Sequence, residues 1–201
     1  MKKILLMISW ILTSCQPENV IKVCFFDVGS EFSTTKTPDD MLQLASNLEF
    51  EYRAITQQQY DSIVSDFSNA KKAKHPREQE CRFYINIEGK KYFTDFWFGV
   101  FDEKYYYLNV PPKTVYLLRR LAGYYNRIWH EELQYVYDIE KYGVPSDYIY
   151  EEPDMSPGKL VYLKVLKPGE RLVQNPKYKK GKNFRERFME VMKNSNLNET
   201  E

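Results

Sequence analysis

The stretch that leaves this chain least freedom is residues 81–110. Cys81, Phe83, Ile85 and Ile87 alternate with Arg82, Tyr84, Asn86 and Glu88, the period of two that a β-strand requires. Glu88-Gly89-Lys90 supplies a turn, and a glycine flanked by alternating runs is a hairpin signal. The return run places Tyr92, Thr94, Phe96 and Phe98 on one side and Phe93, Asp95 and Trp97 on the other. Neither side is plainly polar, so both faces of this hairpin are expected to be partly covered. Gly99 is placed to break or bulge the strand. Asp102-Glu103-Lys104 turns the chain into a third strand, Tyr105 to Val110. A three-stranded antiparallel meander is the expectation.

The flanking segments supply more strands and several helices. Val20 to Val28 is β-branched and aromatic, and Lys159 to Leu166 reads as a clear strand;. Leu48 to Ile55 alternates, as a half-buried strand or an extended connection would. Thr37-Pro38 followed by Asp39 and Asp40 opens a helix with Met41, Leu42 and Ala45 inward;. Thr56 and Gln59 form a capping box ahead of Tyr60, Ile63, Val64 and Phe67;. That helix is expected to end in Lys71, Lys72 and Lys74, with the lysines as its C-terminal cap. Helices are also expected over 112–122, with Arg119 and Arg120 outward, over 131–142, with Leu133, Val136 and Tyr137 inward, and over Phe184 to Met192. The fold class is therefore α+β: an antiparallel sheet around 81–110, packed on one face by the helices near 57–71, 112–122 and 131–142.

The leader is a separate signal. Lys2 and Lys3 precede an uncharged run, Ile4 to Leu12, far short of the ~20 residues that span a bilayer as a helix. Leu12-Thr13-Ser14-Cys15 closes it. Charge, apolar run and this tetrapeptide resemble the signal peptide and lipobox of bacterial lipoproteins, over residues 1–15 only. The resemblance implies that residues 1–14 are removed and that Cys15 carries the lipid. Residues 15–19 would then be a short tether and 20–201 a single domain held at the membrane of the bacterial cell envelope. Gln16, where an aspartate would favour the inner membrane, leans to the outer membrane, while Glu18 leaves surface display open. Two or more acyl chains hold firmly where one does not.

Chemistry is harder to read. Lys and Arg number 29 against 28 Asp and Glu, so nothing points to nucleic acid. With Cys15 lipidated, Cys24 and Cys81 are a possible disulfide or else two buried thiols. His75 and His130 are too few for most metal sites, and no motif calls for a cofactor. Asp95 and Asp102 flank Phe96-Trp97-Phe98-Gly99-Val100-Phe101; two acids beside aromatics are the ingredients of a glycan hydrolase. Residues 138–154 are acidic and 171–193 basic, and the two are expected to face each other or a partner. Tyrosines clustered near the acidic loop, namely Tyr124, Tyr125, Tyr148 and Tyr150, form with Glu151 and Glu152 a candidate binding surface. The expectation is a non-catalytic binding module for another protein, of which immunity-type neutralisation of a toxin is one form. The alternative is a glycan-acting or glycan-binding lipoprotein.

Overall fold

The structure, a computed structural model, describes residues 19–26, 36–152 and 156–172. The leader, Cys15 and the segment expected to be the last helix lie outside the described residues. Among the described residues eight strands form one sheet, β1 (Val20–Phe26), β2 (Phe50–Ile55), β3 (Lys72–Pro76), β4 (Phe83–Ile87), β5 (Lys90–Thr94), β6 (Val100–Asp102), β7 (Tyr106–Leu108) and β8 (Gly158–Val165). Their order is β2-β8-β1-β4-β5-β6-β7-β3. Every pairing is antiparallel except β2 with β8. The α+β class with a mostly antiparallel sheet is what the sequence led one to expect.

The β4–β5 hairpin turns where expected. Ile87 pairs with Lys90, leaving a two-residue turn with Glu88 at φ 51° and Gly89 at φ 82°. Two consecutive positive φ values make the type I′ geometry that matches strand twist. The meander continues through β6 and β7, so four strands, not three, fill 83–108.

Alternation sorts the side chains onto two faces. Ile21, Val23, Phe25, Phe83, Ile85, Val161 and Leu163 meet Tyr60, Ile63 and Phe67 of α2 (Gln57–Ser68) and Val115 and Leu118 of α3 (Pro112–Leu121). Cys24, Tyr84, Phe93, Phe101 and Leu160 meet Met41 of α1 (Pro38–Asn47) on the other face. Each fully buried Ile, Leu or Phe contributes roughly 1.5–3 kcal/mol, so both faces stabilise the sheet. Cys81 does not share the face of Phe83. It precedes β4, donates its backbone N–H to Lys36 O at 2.8 Å, and packs with Cys24.

Both expected helix starts form. Thr37 and Asp40 cap α1, and Thr56 and Gln59 cap α2, each reciprocally. The lysine-rich stretch does not cap α2, which stops at Ser68. Lys72–Pro76 is instead the exposed edge strand β3, paired with β7. Lysine and proline on an edge disfavour pairing with another sheet. The helix expected over 131–142 is broken. α4 (His130–Leu133) and α5 (Tyr137–Tyr142) are separated by three residues, and the changed phase turns Tyr137 outward. Among the described residues no helix is long and apolar enough to cross a membrane.

Candidate functional site

The site grows from the loop joining β5 to β6. Strand pairing ends with Thr94 opposite Val100. Asp95 then folds the chain on itself. Its Oδ1 accepts the N–H groups of Trp97 (2.8 Å) and Gly99 (2.7 Å), and its Oδ2 accepts the Tyr107 hydroxyl at 2.8 Å. That bond and burial together raise the Tyr107 hydroxyl's pKa, burial being the larger cause. A Cβ on Gly99 would lie 2.3 Å from the Tyr107 ring and 2.4 Å from Asp95 Oδ2, so the close approach requires glycine. Phe98 sits at φ 72°, a left-handed conformation costing about 1–2 kcal/mol for a residue with a Cβ. The hydrogen bonds of Asp95 offset that strain. The result is a loop that turns Phe98 inward and pushes Phe96 and Trp97 into solvent, with Trp97 68% exposed.

Phe98 lies against a buried cation. The Arg119 guanidinium is 4.1 Å from the Phe98 ring centre, 4.5 Å from that of Phe83 and 5.6 Å from that of Tyr124. It was expected outward on α3 but is 4% exposed. The cause is Asp138 on α5, whose Oδ2 lies 3.2 Å from Arg119 Nη1 and also accepts the Tyr125 hydroxyl. Arg119 Nη2 donates to the backbone oxygen of Asp95 at 3.2 Å, which ties α3 to the loop. Burial, then the Asp138 charge, hold the Tyr125 hydroxyl's pKa far above the tyrosine range. Arg119 Nε–H is buried with no hydrogen-bond partner among the described residues.

Beside this knot is a cavity of about 210 Å³ lined by Phe83, Phe96, Arg119, Tyr124, Tyr135 and Tyr137, with Arg82, Ile128, Glu132, Val136 and Asp138 completing the wall. A more open groove of about 530 Å³ adjoins the same chain segment, lined by His130, Glu131, Leu133, Gln134, Ile139, Glu140, Gly143 and Val144. The large apolar side chains exposed among the described residues are Phe96, Trp97, Trp129, Tyr135, Tyr137, Val144 and Ile149. All belong to the Asp95 loop or to residues 129–149. Trp97 contacts Tyr137 with ring centres 6.3 Å apart, and Phe96 at 5.1 Å.

Of the tyrosines singled out in the sequence, Tyr124 lines the cavity and the other three do not. Tyr125 is buried. Tyr124 is half-buried and packs edge-on against Phe25 and Phe83. Tyr148 donates its hydroxyl to Ile128 O at 2.8 Å, and Tyr150 stacks on Trp129 at 4.3 Å. Glu151 is held by Arg53 (3.4 Å) and Lys159 (3.5 Å). Burial alone would raise its carboxyl, but Arg53, Lys159 and Asn126 outweigh burial and hold it below the usual range. Glu152 is exposed. The acidic stretch is therefore met largely from inside the domain: Asp138 by Arg119, Asp147 by Arg120 at 2.8 Å, and Glu151 as above. Its expected counterpart at 171–193 lies almost wholly outside the described residues.

Asp95 and Asp102 do not form a pair. They stand at opposite ends of the β5–β6 ladder, Asp95 following Thr94 and Asp102 facing Tyr92. Asp102 accepts from Lys104 N and Tyr106 N and meets Lys72 Nζ at 2.6 Å. Burial would raise its carboxyl, but these partners, Lys72 foremost, leave it lowered. Each carboxylate is occupied in shaping a turn. Cys24 and Cys81 are free and buried, and burial pushes both thiols up to about 12, which makes them poor nucleophiles. Among the described residues no group of three His, Cys, Asp or Glu is arranged to hold a metal. Compared with family models, curated proteins and solved structures, the chain shows no match.

The missed signal was local. Asp95 closes on the backbone N–H two residues on, as aspartate does in turns;, and this overrides the alternation running through Thr94, Phe96 and Phe98.

Proposed function

We propose that this chain is an envelope-anchored bacterial lipoprotein whose domain binds another protein, without catalysis, through the aromatic surface made by the Asp95 loop and residues 129–149. The observation that carries the reading is that, among the described residues, the exposed large apolar side chains are confined to those two segments. Large aromatics gathered at the surface mark interaction sites, and Trp and Tyr are the side chains most enriched among binding hot spots. Two of the three tryptophans, Trp97 and Trp129, are in this set; the third, Trp10, is in the leader. Neutralisation of an incoming toxin is the concrete form that suits a small anchored binder. A glycan hydrolase draws no support from Asp95 and Asp102, since both carboxylates serve turns.

Two experiments test the reading separately. Cys15→Ala is expected to abolish palmitate labelling in cells; retained labelling contradicts the anchor. For binding, the protein that co-purifies with the wild type after envelope cross-linking should be lost with Trp97→Ala plus Tyr137→Ala and kept with Lys74→Ala on β3. Equal recovery from all three contradicts the assigned surface.

A further inference from the structure

We infer that the cavity beside Arg119 is an anchor pocket for one aromatic side chain of a polypeptide partner, presented on a segment rich in lysine or arginine. This rests on the protein-binding reading above and specifies what that surface takes.

Size comes first. At about 210 Å³ the cavity falls below the roughly 300–1,000 Å³ of pockets that enclose small molecules, and it suits a single side chain. The wall comes second. Phe83, Phe96, Tyr124, Tyr135 and Tyr137 present rings, and ring pairs add ~0.5–1.5 kcal/mol beyond the area they bury. An anion is a poor occupant despite Arg119, because Asp138 already neutralises that charge and Asp95 O takes another N–H. Charge comes third. Glu132 lines the cavity and is exposed, and exposed Glu131 and Glu140 line the adjoining groove. Arg82, the cation on the same wall, is ion-paired with Glu80 at 3.0 Å. An aromatic flanked by cations therefore meets complementary charge.

Direction separates a protein from a lipid surface. Val20 pairs with Lys164 and Ile21 with Ile87, at the end of the sheet that holds the Glu88-Gly89 turn. The Asp95 loop follows Thr94, which pairs with Phe83, which pairs with Phe25 at the opposite end of β1. Seven strand residues span roughly 20 Å. A tether of residues 16–19 reaches at most about 14 Å. The aromatic rim thus faces away from the bilayer that would hold Cys15, towards an incoming chain.

The test uses the full-length, lipid-anchored chain in phosphatidylcholine vesicles, carrying Trp129→Phe so that Trp97 is the reporter once the leader is gone. The probes are the peptides acetyl-Lys-Phe-Lys-amide, acetyl-Lys-Ala-Lys-amide and acetyl-Glu-Phe-Glu-amide. The first is expected to change Trp97 emission saturably, with the other two about tenfold weaker or more. Glu132→Lys, an exposed change that spares the fold, should weaken the first peptide about tenfold. No saturable response to the first peptide, or equal responses to all three, overturns the pocket. Quenching of Trp97 by vesicles of brominated phosphatidylcholine overturns it in favour of a lipid surface. Peptide failure, together with a protein adduct formed in cells by a photo-reactive amino acid placed at position 97, would defeat the pocket while leaving the protein-binding reading standing.

Discussion

Two aromatic clusters lie side by side in this protein and do opposite things. Tyr124, Tyr125, Phe83 and Phe98 close around Arg119; Tyr125 donates to Asp138, and Arg119 reaches Asp138 and Asp95 O. A few ångströms away Phe96, Trp97, Tyr135 and Tyr137 point into water, Tyr135 at 81% exposure. Composition does not separate the two groups. What separates them is what the neighbouring elements do. Asp138 on α5 gives Tyr125 and the Arg119 cation a buried partner, and the Asp95 turn holds Phe96 and Trp97 out in solvent.

Asp138 carries the largest effect. Asp138→Ala leaves Arg119 as a buried charge without its carboxylate, and such a loss costs about 3–5 kcal/mol. Urea unfolding is expected to show a large drop in midpoint; a change under about 1 kcal/mol would mean that the knot does not hold the helices. Asp95→Ala comes next. It removes the acceptor of two backbone N–H groups and the Tyr107 hydroxyl, at about 2–3 kcal/mol, and should shift the emission of Trp97 as the loop relaxes. An unchanged spectrum would show that the loop is held by something else.

Smaller effects sharpen the contrast. Asp102 is lowered from its ordinary value of 3.8, so its contribution is present above that value and is lost as pH falls through the lower folded one. With Lys72 nearly half exposed, the pair is worth only about 0.5 kcal/mol. Asp102→Asn should therefore trail the wild type in stability at neutral pH and converge with it in acid; divergence in acid contradicts the assignment. The smallest stability effect belongs to the outer cluster. Trp97→Ala and Tyr135→Ala should each alter unfolding by no more than about 0.5 kcal/mol, because neither side chain is buried. A loss as large as that of Asp138→Ala would make these rings part of the core and not a surface held for a partner.

Much of the sheet was legible because its signals are local. The Glu88-Gly89 turn, the Thr37 and Thr56 caps and the apolar runs of β1 and β8 each depend on residues a few positions apart. The parallel pairing of β2 with β8 joins segments 110 residues apart, Phe50 with Leu160, and no local pattern encodes it. The candidate site was less legible for the same reason. Arg119 looks like a surface residue on an amphipathic helix until Asp138, nineteen positions on, is placed beside it. The tyrosines near the acidic loop looked free because their acceptors, Ile128 O for Tyr148 and Asp138 for Tyr125, come from other turns. Lys72 looked like a helix cap because an edge strand of lysine, histidine and proline has no apolar alternation to announce it.

The central claim is that the outward aromatics meet a protein. A photo-reactive amino acid placed at position 97, and separately at exposed position 74 on β3, tests it in intact cells carrying the anchored chain. Irradiation is predicted to give a discrete adduct of protein size from position 97 and little from position 74. No adduct from 97, an equal pattern from both positions, or attachment to lipid alone would contradict it.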